Sequence, residues 1–203
     1  MRANVYVDGF NLYYGIRRWQ GSRWLDLGAL CTRLFPNDDI HRIRYFTARV
    51  KGKADPGSPI RQQAYLAALR TVPGLTIHFG TFLANETRMP LAFPSHWMAP
   101  VLKTEEKGSD VNLATHLLLD VFDHDCEMAV VFTNDSDLHV PIRVVQEPPA
   151  SIPVWVINPH PVRSNRLKPT HHLDLHKADV VASQFPDVLQ SRKGKEIRKP
   201  PRW

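Results

Sequence analysis

The run Met128–Thr133 reads MAVVFT, and Ile152–Asn158 reads IPVWVIN; both are apolar at nearly every position. A strand with one wet face alternates, whereas a strand apolar on both sides must be covered on both. Further strand-like runs fall at Asn4–Asp8, Ile40–Val50 and Leu75–Leu83. Helical patterns lie between them: Leu27–Phe35 after a capping Asp26, Pro59–Val72 with Pro59 in its first turn, Asn112–Phe122, and Asp137–Gln146 with Pro141 near its start. Strands and helices in alternation predict an α/β layered domain with a mainly parallel sheet. A last strand is expected near Ala178–Ala182. The aperiodic stretch Ala84–Thr104, with Pro90, Pro94 and Pro100, is expected to be a substrate-facing loop or insertion.

At 203 residues the chain can bury one sizeable core. Its two cysteines, Cys31 and Cys126, lack metal-ligand spacing and read as small buried apolar groups. No leader pattern precedes the first strand, and His116 and Asp120 break the longest apolar helix. The expectation is therefore a cytoplasmic protein with no membrane partner. The net charge is +6, but the segment Gln190–Trp203 holds six cations against the single acid Glu196, leaving the body near neutral. Residues 1–185 are accordingly expected to form the domain. Residues 186–203 are expected to be a basic disordered tail, either solubilising or phosphate-contacting.

The chemistry lies in the acids. Asp8 follows VYV, Asp135 and Asp137 follow the MAVVFT run, and Asp110 opens the helical stretch after it. Ligands of open parallel sheets bind beyond the carboxyl ends of the strands. Four aspartates converging there could not all stay ionised without a cation. Oxygen ligands of this kind suit Mg²⁺ or Mn²⁺. Each acid has a plainer reading: Asp110 and Asp137 could be helix caps, and Asn11 a turn residue. Competing acid-based sites fail on spacing. Gly9 and Phe10 follow Asp8 where a haloacid-dehalogenase phosphatase needs a second Asp, and DSDLH lacks the second serine of an adhesion-type metal site. No phosphate-binding glycine loop is present.

Together, VDGFNLYYG, EKGSDVNLATHLLLD and VVFTNDSDLHVPI resemble the NYN domain, a branch of the PIN-like nuclease superfamily. The resemblance covers roughly residues 1 to 181. It implies a Rossmann-like (PIN-like) three-layer sandwich with an acidic Mg²⁺- or Mn²⁺-binding pocket, and endoribonuclease activity with RNA as partner. By motif, Asp8, Asp110, Asp135 and Asp137 match the acidic positions, and Asn11 the polar residue after the first acid. Two departures stand out. His116 occupies a helix position where many relatives carry an acid, with Asp120 one turn later as a substitute, and Asn134 stands where glycine is common.

The functional expectation is a metal-dependent endoribonuclease using Asp8, Asp110, Asp135, Asp137 and Asn11. Its alternative is a non-catalytic RNA-binding or regulatory protein, and a phosphatase for small esters is weaker. Tyr13, or its neighbour Tyr14, is a candidate base-stacking residue. Arg49, Lys51, Lys53, Lys103 and Lys107 are candidate phosphate contacts or solvated loop residues. The histidines at 171, 172 and 176 read as surface residues. The RNA class, the number of metal ions and homo-oligomerisation are left open.

Overall fold

The computed structural model describes residues 1–52, 55–93 and 97–203. In chain order, the first half contains β1 (Arg2–Asp8), α1 (Gly9–Ile16), α2 (Leu27–Leu34), β2 (Asp39–Thr47), α3 (Ser58–Leu69) and β3 (Leu75–Phe79). The strands β4 (Thr81–Pro90) and β5 (Met98–Lys107) follow, then α4 (Ser109–Phe122), β6 (Met128–Phe132), α5 (His139–Gln146) and β7 (Val154–Asn158). The chain continues through β8 (His171–Asp174), α6 (Lys177–Ala182), β9 (Val188–Gln190) and β10 (Glu196–Arg198).

Six of these strands make one sheet, ordered β3-β2-β1-β6-β7-β8, with every pairing parallel. The near-continuous apolar runs are explained by burial on both sides. Val5 and Val7 point into a core with Leu12 and Ile16 of α1, Leu30 of α2, Leu66 and Leu69 of α3 and Val180 of α6. Tyr6 points the other way, to Leu113 and Leu117 of α4 and Ile142 and Val145 of α5. The result is an α/β/α sandwich of three layers. The sheet grows from β1 outwards in one direction through β2 and β3, and in the other through β6, β7 and β8. The switch point therefore lies between β1 and β6, where open α/β sheets leave a crevice at the carboxyl ends. Among the described residues, no helix is long and apolar enough to cross a membrane.

Four expectations need correction. The stretch 84–104 is largely a β-hairpin, pairing Thr81 with Lys107 through to Pro90 with Met98. Much of both strands is exposed, so neither shows the alternation that marks a half-buried strand. A two-stranded sheet also has free edges that tolerate its prolines. Leu75–Leu83 is two strands, because the chain leaves the parallel sheet at Gly80 and enters the hairpin. Ala178–Ala182 lies in a helix: its paired valines suggest a strand, but Val180 is fully buried while Val181 is exposed, as in a single helical turn with one covered side.

The basic segment 186–203 is not a loose tail. The strands β9 and β10 pair antiparallel, with Ile197 buried in the core beside α3. Trp203 packs its ring against Tyr65 at 5.5 Å and Trp24 at 6.3 Å. Its many cations face solvent around a few apolar anchors, so composition hid a docked element.

Candidate metal centre

Asp8 ends β1 and Asp135 follows β6, on adjacent parallel strands at the switch point. Asp110 arrives from the third direction, in the first turn of α4. The turn into that helix is made by Gly108, at φ 94°, a left-handed conformation that side chains with a Cβ avoid. One carboxylate oxygen from each of Asp8, Asp110 and Asp135 lies within 4.8 Å of the others. These acids open into a cavity of about 360 Å³ whose walls include Phe10, Asn11, Tyr14, Phe82, Glu106 and His160.

Backbone groups orient two of the three. Asp8 caps α1, its Oδ1 accepting the Asn11 amide at 3.0 Å, while its Oδ2 accepts the Thr133 hydroxyl at 3.2 Å. Asp135 caps a short 3₁₀ turn at Ser136–Leu138, its Oδ1 accepting the Asp137 amide at 2.9 Å. Asp110 caps nothing; its carboxylate has no hydrogen bond to a described residue. Capping thus belongs to Asp8 and Asp135, and the caps expected of Asp110 and Asp137 are not made. Gly9 permits the turn after Asp8, because a Cβ there would meet Phe46 O and the Tyr45 ring at 2.6 Å.

Crowding and burial show in the titration of these groups. Burial pushes the Asp8 carboxyl up to about 7, against its two hydrogen bonds, and Asp110 raises it further. Burial also pushes Asp110 up to about 6, reinforced by Asp135, Glu106 and Asp137. Three oxygen donors that repel one another and form no ion pair among the described residues fit a hard divalent ion. The donor set suits Mg²⁺ or Mn²⁺ equally.

The remaining candidates divide. Asp137 is exposed and outside the trio, close enough to act on Asp110 electrostatically. Asn11 works as a tie: its Oδ1 accepts the Asn134 amide at 2.9 Å, and its carbonyl lies 3.1 Å from His160 Nε2. Tyr14 lines the acidic cavity, and Tyr13 lines a neighbouring one that Tyr14 shares. Lys107 and Lys103 are engaged with Glu105 on the hairpin. Arg49 stacks on Phe79 at 4.7 Å, Lys51 is exposed, and neither lines the acidic cavity. Lys53 lies outside the described residues.

Asp120 does not replace the missing helix acid. It sits beside Asn4 and Tyr6, accepting the Tyr6 hydroxyl at 2.9 Å and both Arg44 Nε and Nη2, at 2.7 and 2.6 Å. His116 packs against His78, with ring centroids 4.2 Å apart. Sequence reasoning missed Glu106, Phe82 and His160. Glu106 stands four residues before Asp110, and its Oε1 accepts the Ser109 amide and hydroxyl at 3.1 and 2.6 Å. Glu106 lies at the end of β5, just before the Gly108 turn, so its place beside Asp110 depends on where the hairpin returns the chain to α4.

A parallel α/β/α sandwich with a carboxylate trio at its switch point has the architecture of the PIN-like nucleases. The family model for the NYN domain matches residues 2–173, and the chain belongs to that family. It is 29% identical, over 240 aligned positions covering all of this chain and 75% of the relative, to 6-hydroxy-3-succinoylpyridine 3-monooxygenase HspA of Pseudomonas putida. A protein of unknown function from Vibrio parahaemolyticus has the same fold, with a TM-score of 0.58 at 16% identity, over 87% of this chain and 93% of that one.

Proposed function

We propose that the protein is a divalent-metal-dependent endoribonuclease, with Asp8, Asp110 and Asp135 holding Mg²⁺ or Mn²⁺. The observation that carries this is the convergence of three carboxylates from β1, α4 and the end of β6 in one open cavity. When bound, the ion would neutralise charge on the scissile phosphate and acidify water. The protein's own groups do the positioning. Thr133 and the Asn11 amide fix the Asp8 carboxylate, and Asn11 Oδ1 holds the loop after β6. Asp137, exposed and close enough to act on Asp110, adds negative charge that favours cation capture. Glu106 is a further carboxylate in the cavity and the candidate proton acceptor.

The test is incubation of the purified protein with total RNA, in Mn²⁺ or in chelator, followed by mapping of fragment ends. Metal-dependent cuts absent from Asp135→Asn support the proposal. Binding without cleavage points instead to an RNA-binding or regulatory role on the same fold. A small aryl phosphate serves as the control for phosphatase activity.

A second reading follows from the likeness to a monooxygenase across the whole chain. On that reading the protein hydroxylates a small pyridine. Consumption of 6-hydroxy-3-succinoylpyridine with a reductant and oxygen, together with inertness towards RNA, would favour it.

A further inference from the structure

Next to the acidic cavity, and sharing the walls formed by Phe10 and Tyr14, lies a second cavity of about 380 Å³. This is within the range of small-molecule sites. Its lining is unusually aromatic, with Phe10, Tyr13 and Tyr14 from α1, Tyr45 from β2, and Trp203. Trp203 is held in place by its contacts with Tyr65 and Trp24. The cavity is also lined by two residues whose hydroxyls have no protein partner among the described residues. Tyr45 is 6% exposed and Thr47 is 2% exposed, and neither hydroxyl has a hydrogen bond to a described residue. Neither oxygen is sealed from water, so both stay open to a ligand in the cavity, and two unengaged hydroxyls beside one aromatic wall can supply it with hydrogen bonds. Arg17 adds charge: its guanidinium stacks on the Tyr14 ring at 4.8 Å and forms no ion pair among the described residues. Arg61 also lines the cavity, but Asp55 already neutralises it.

The geometry points to this cavity as the subsite for an unstacked nucleobase, belonging to a nucleotide beside the phosphate held at the acids. Aromatic walls match the two faces of a base, and hydroxyls that both donate and accept match its edge. The shared Phe10–Tyr14 wall puts base and phosphate in adjoining compartments. A base paired in a duplex cannot enter, so the site selects single-stranded RNA. This inference rests on the nuclease reading above, and the following experiment keeps the two apart.

Uridine and adenosine 5′-monophosphates are titrated by calorimetry into the full chain in chelator, so that the metal centre contributes nothing. Ribose 5-phosphate and 6-hydroxy-3-succinoylpyridine are titrated alongside. The parent is expected to bind a nucleotide, and Tyr45→Phe and Thr47→Val are each expected to weaken it about fivefold. Neither variant should melt lower than the parent, because each removes a hydroxyl the fold does not use. Equal nucleotide affinity in the parent and the doubly substituted protein overturns the subsite, as does ribose 5-phosphate binding as tightly as a nucleotide. Tighter binding of the pyridine overturns it too and assigns the cavity to a small heteroaromatic acid. RNA cleavage without nucleotide binding removes the subsite and leaves the nuclease. Nucleotide binding lost in the variants, in a protein that cuts no RNA, keeps the subsite and removes the nuclease.

Discussion

The Thr133 hydroxyl donates to Asp8 Oδ2 across 3.2 Å, joining the end of β6 to the end of β1 at the floor of the acidic cavity. Thr133 Oγ1 in turn accepts the Asp135 amide at 3.0 Å. A single buried side chain thus sets the relation between two of the three converging acids.

Thr133→Val keeps the shape of that side chain and deletes both bonds. Leaving a buried acceptor and donor unpaired costs roughly 1–3 kcal/mol for each group. The variant is expected to unfold at lower urea concentration and to need more Mn²⁺ for the same thermal stabilisation. Unchanged values for both would mean that Asp8 is positioned without Thr133.

Asp135→Asn retains an oxygen able to cap the 3₁₀ turn while removing a charge from the cluster. The metal-free variant is expected to be at least as stable as the parent. The parent should gain about 2.7 kcal/mol at a divalent-ion concentration one hundred times the dissociation constant, and the variant less. Thermal melts with and without chelator check both parts. Equal stabilisation by metal in the two proteins would remove Asp135 from the ligand set.

Without metal, the pH dependence follows from Asp8. Its folded pKa of about 7 lies above the unfolded value of 3.8, so between those limits the folded state binds more protons than the unfolded one. Stability in chelator is therefore expected to fall as pH rises from about 4 to about 7, and to level off above that. Divalent metal should reverse the slope, because ligation requires the deprotonated carboxylates. Melting curves at a series of pH values distinguish these trends.

Asp120→Ala should destabilise without touching the acidic cavity. Arg44 and Asp120 are both largely buried, with side chains 13% and 9% exposed, and Tyr6 shares the same carboxylate. Removing one member of such a pair costs about 3–5 kcal/mol. Denaturant unfolding measures this, and RNA cleavage per folded molecule should stay near the parental rate. Loss of cleavage in a fully folded variant would assign Asp120 to the chemistry after all.

Deleting residues 188–203 is expected to lower stability by at least about 2 kcal/mol, because burial of Ile197 alone accounts for ~1.5–3 kcal/mol. The deletion also uncovers Trp24 and Tyr65. A truncated chain that melts like the parent would show that β9, β10 and Trp203 contribute no net stability.

Apolar content carried the main elements of the fold directly. Runs such as MAVVF and VWVIN demand cover on both faces, and only a parallel layered sheet with helices on each side supplies it. Asp8 and Asp135 were legible for the same reason, since each stands where an apolar run stops. What local pattern lacked was long-range pairing. The hairpin of β4 and β5 and the docked β9 and β10 are held through backbone bonds and a few anchors, which leave little trace in hydropathy. Asp120 illustrates the limit most directly. By spacing it could stand in for an acid at the metal centre, but Arg44, seventy-six residues away in sequence, claims it beside Tyr6 and Asn4, outside the acidic cavity. Glu106, His160 and the hydroxyls of Tyr45 and Thr47 acquire their positions only when separate strands and helices close around common cavities. The residue types that can do chemistry are a property of the chain, whereas which of them meet is decided by tertiary packing.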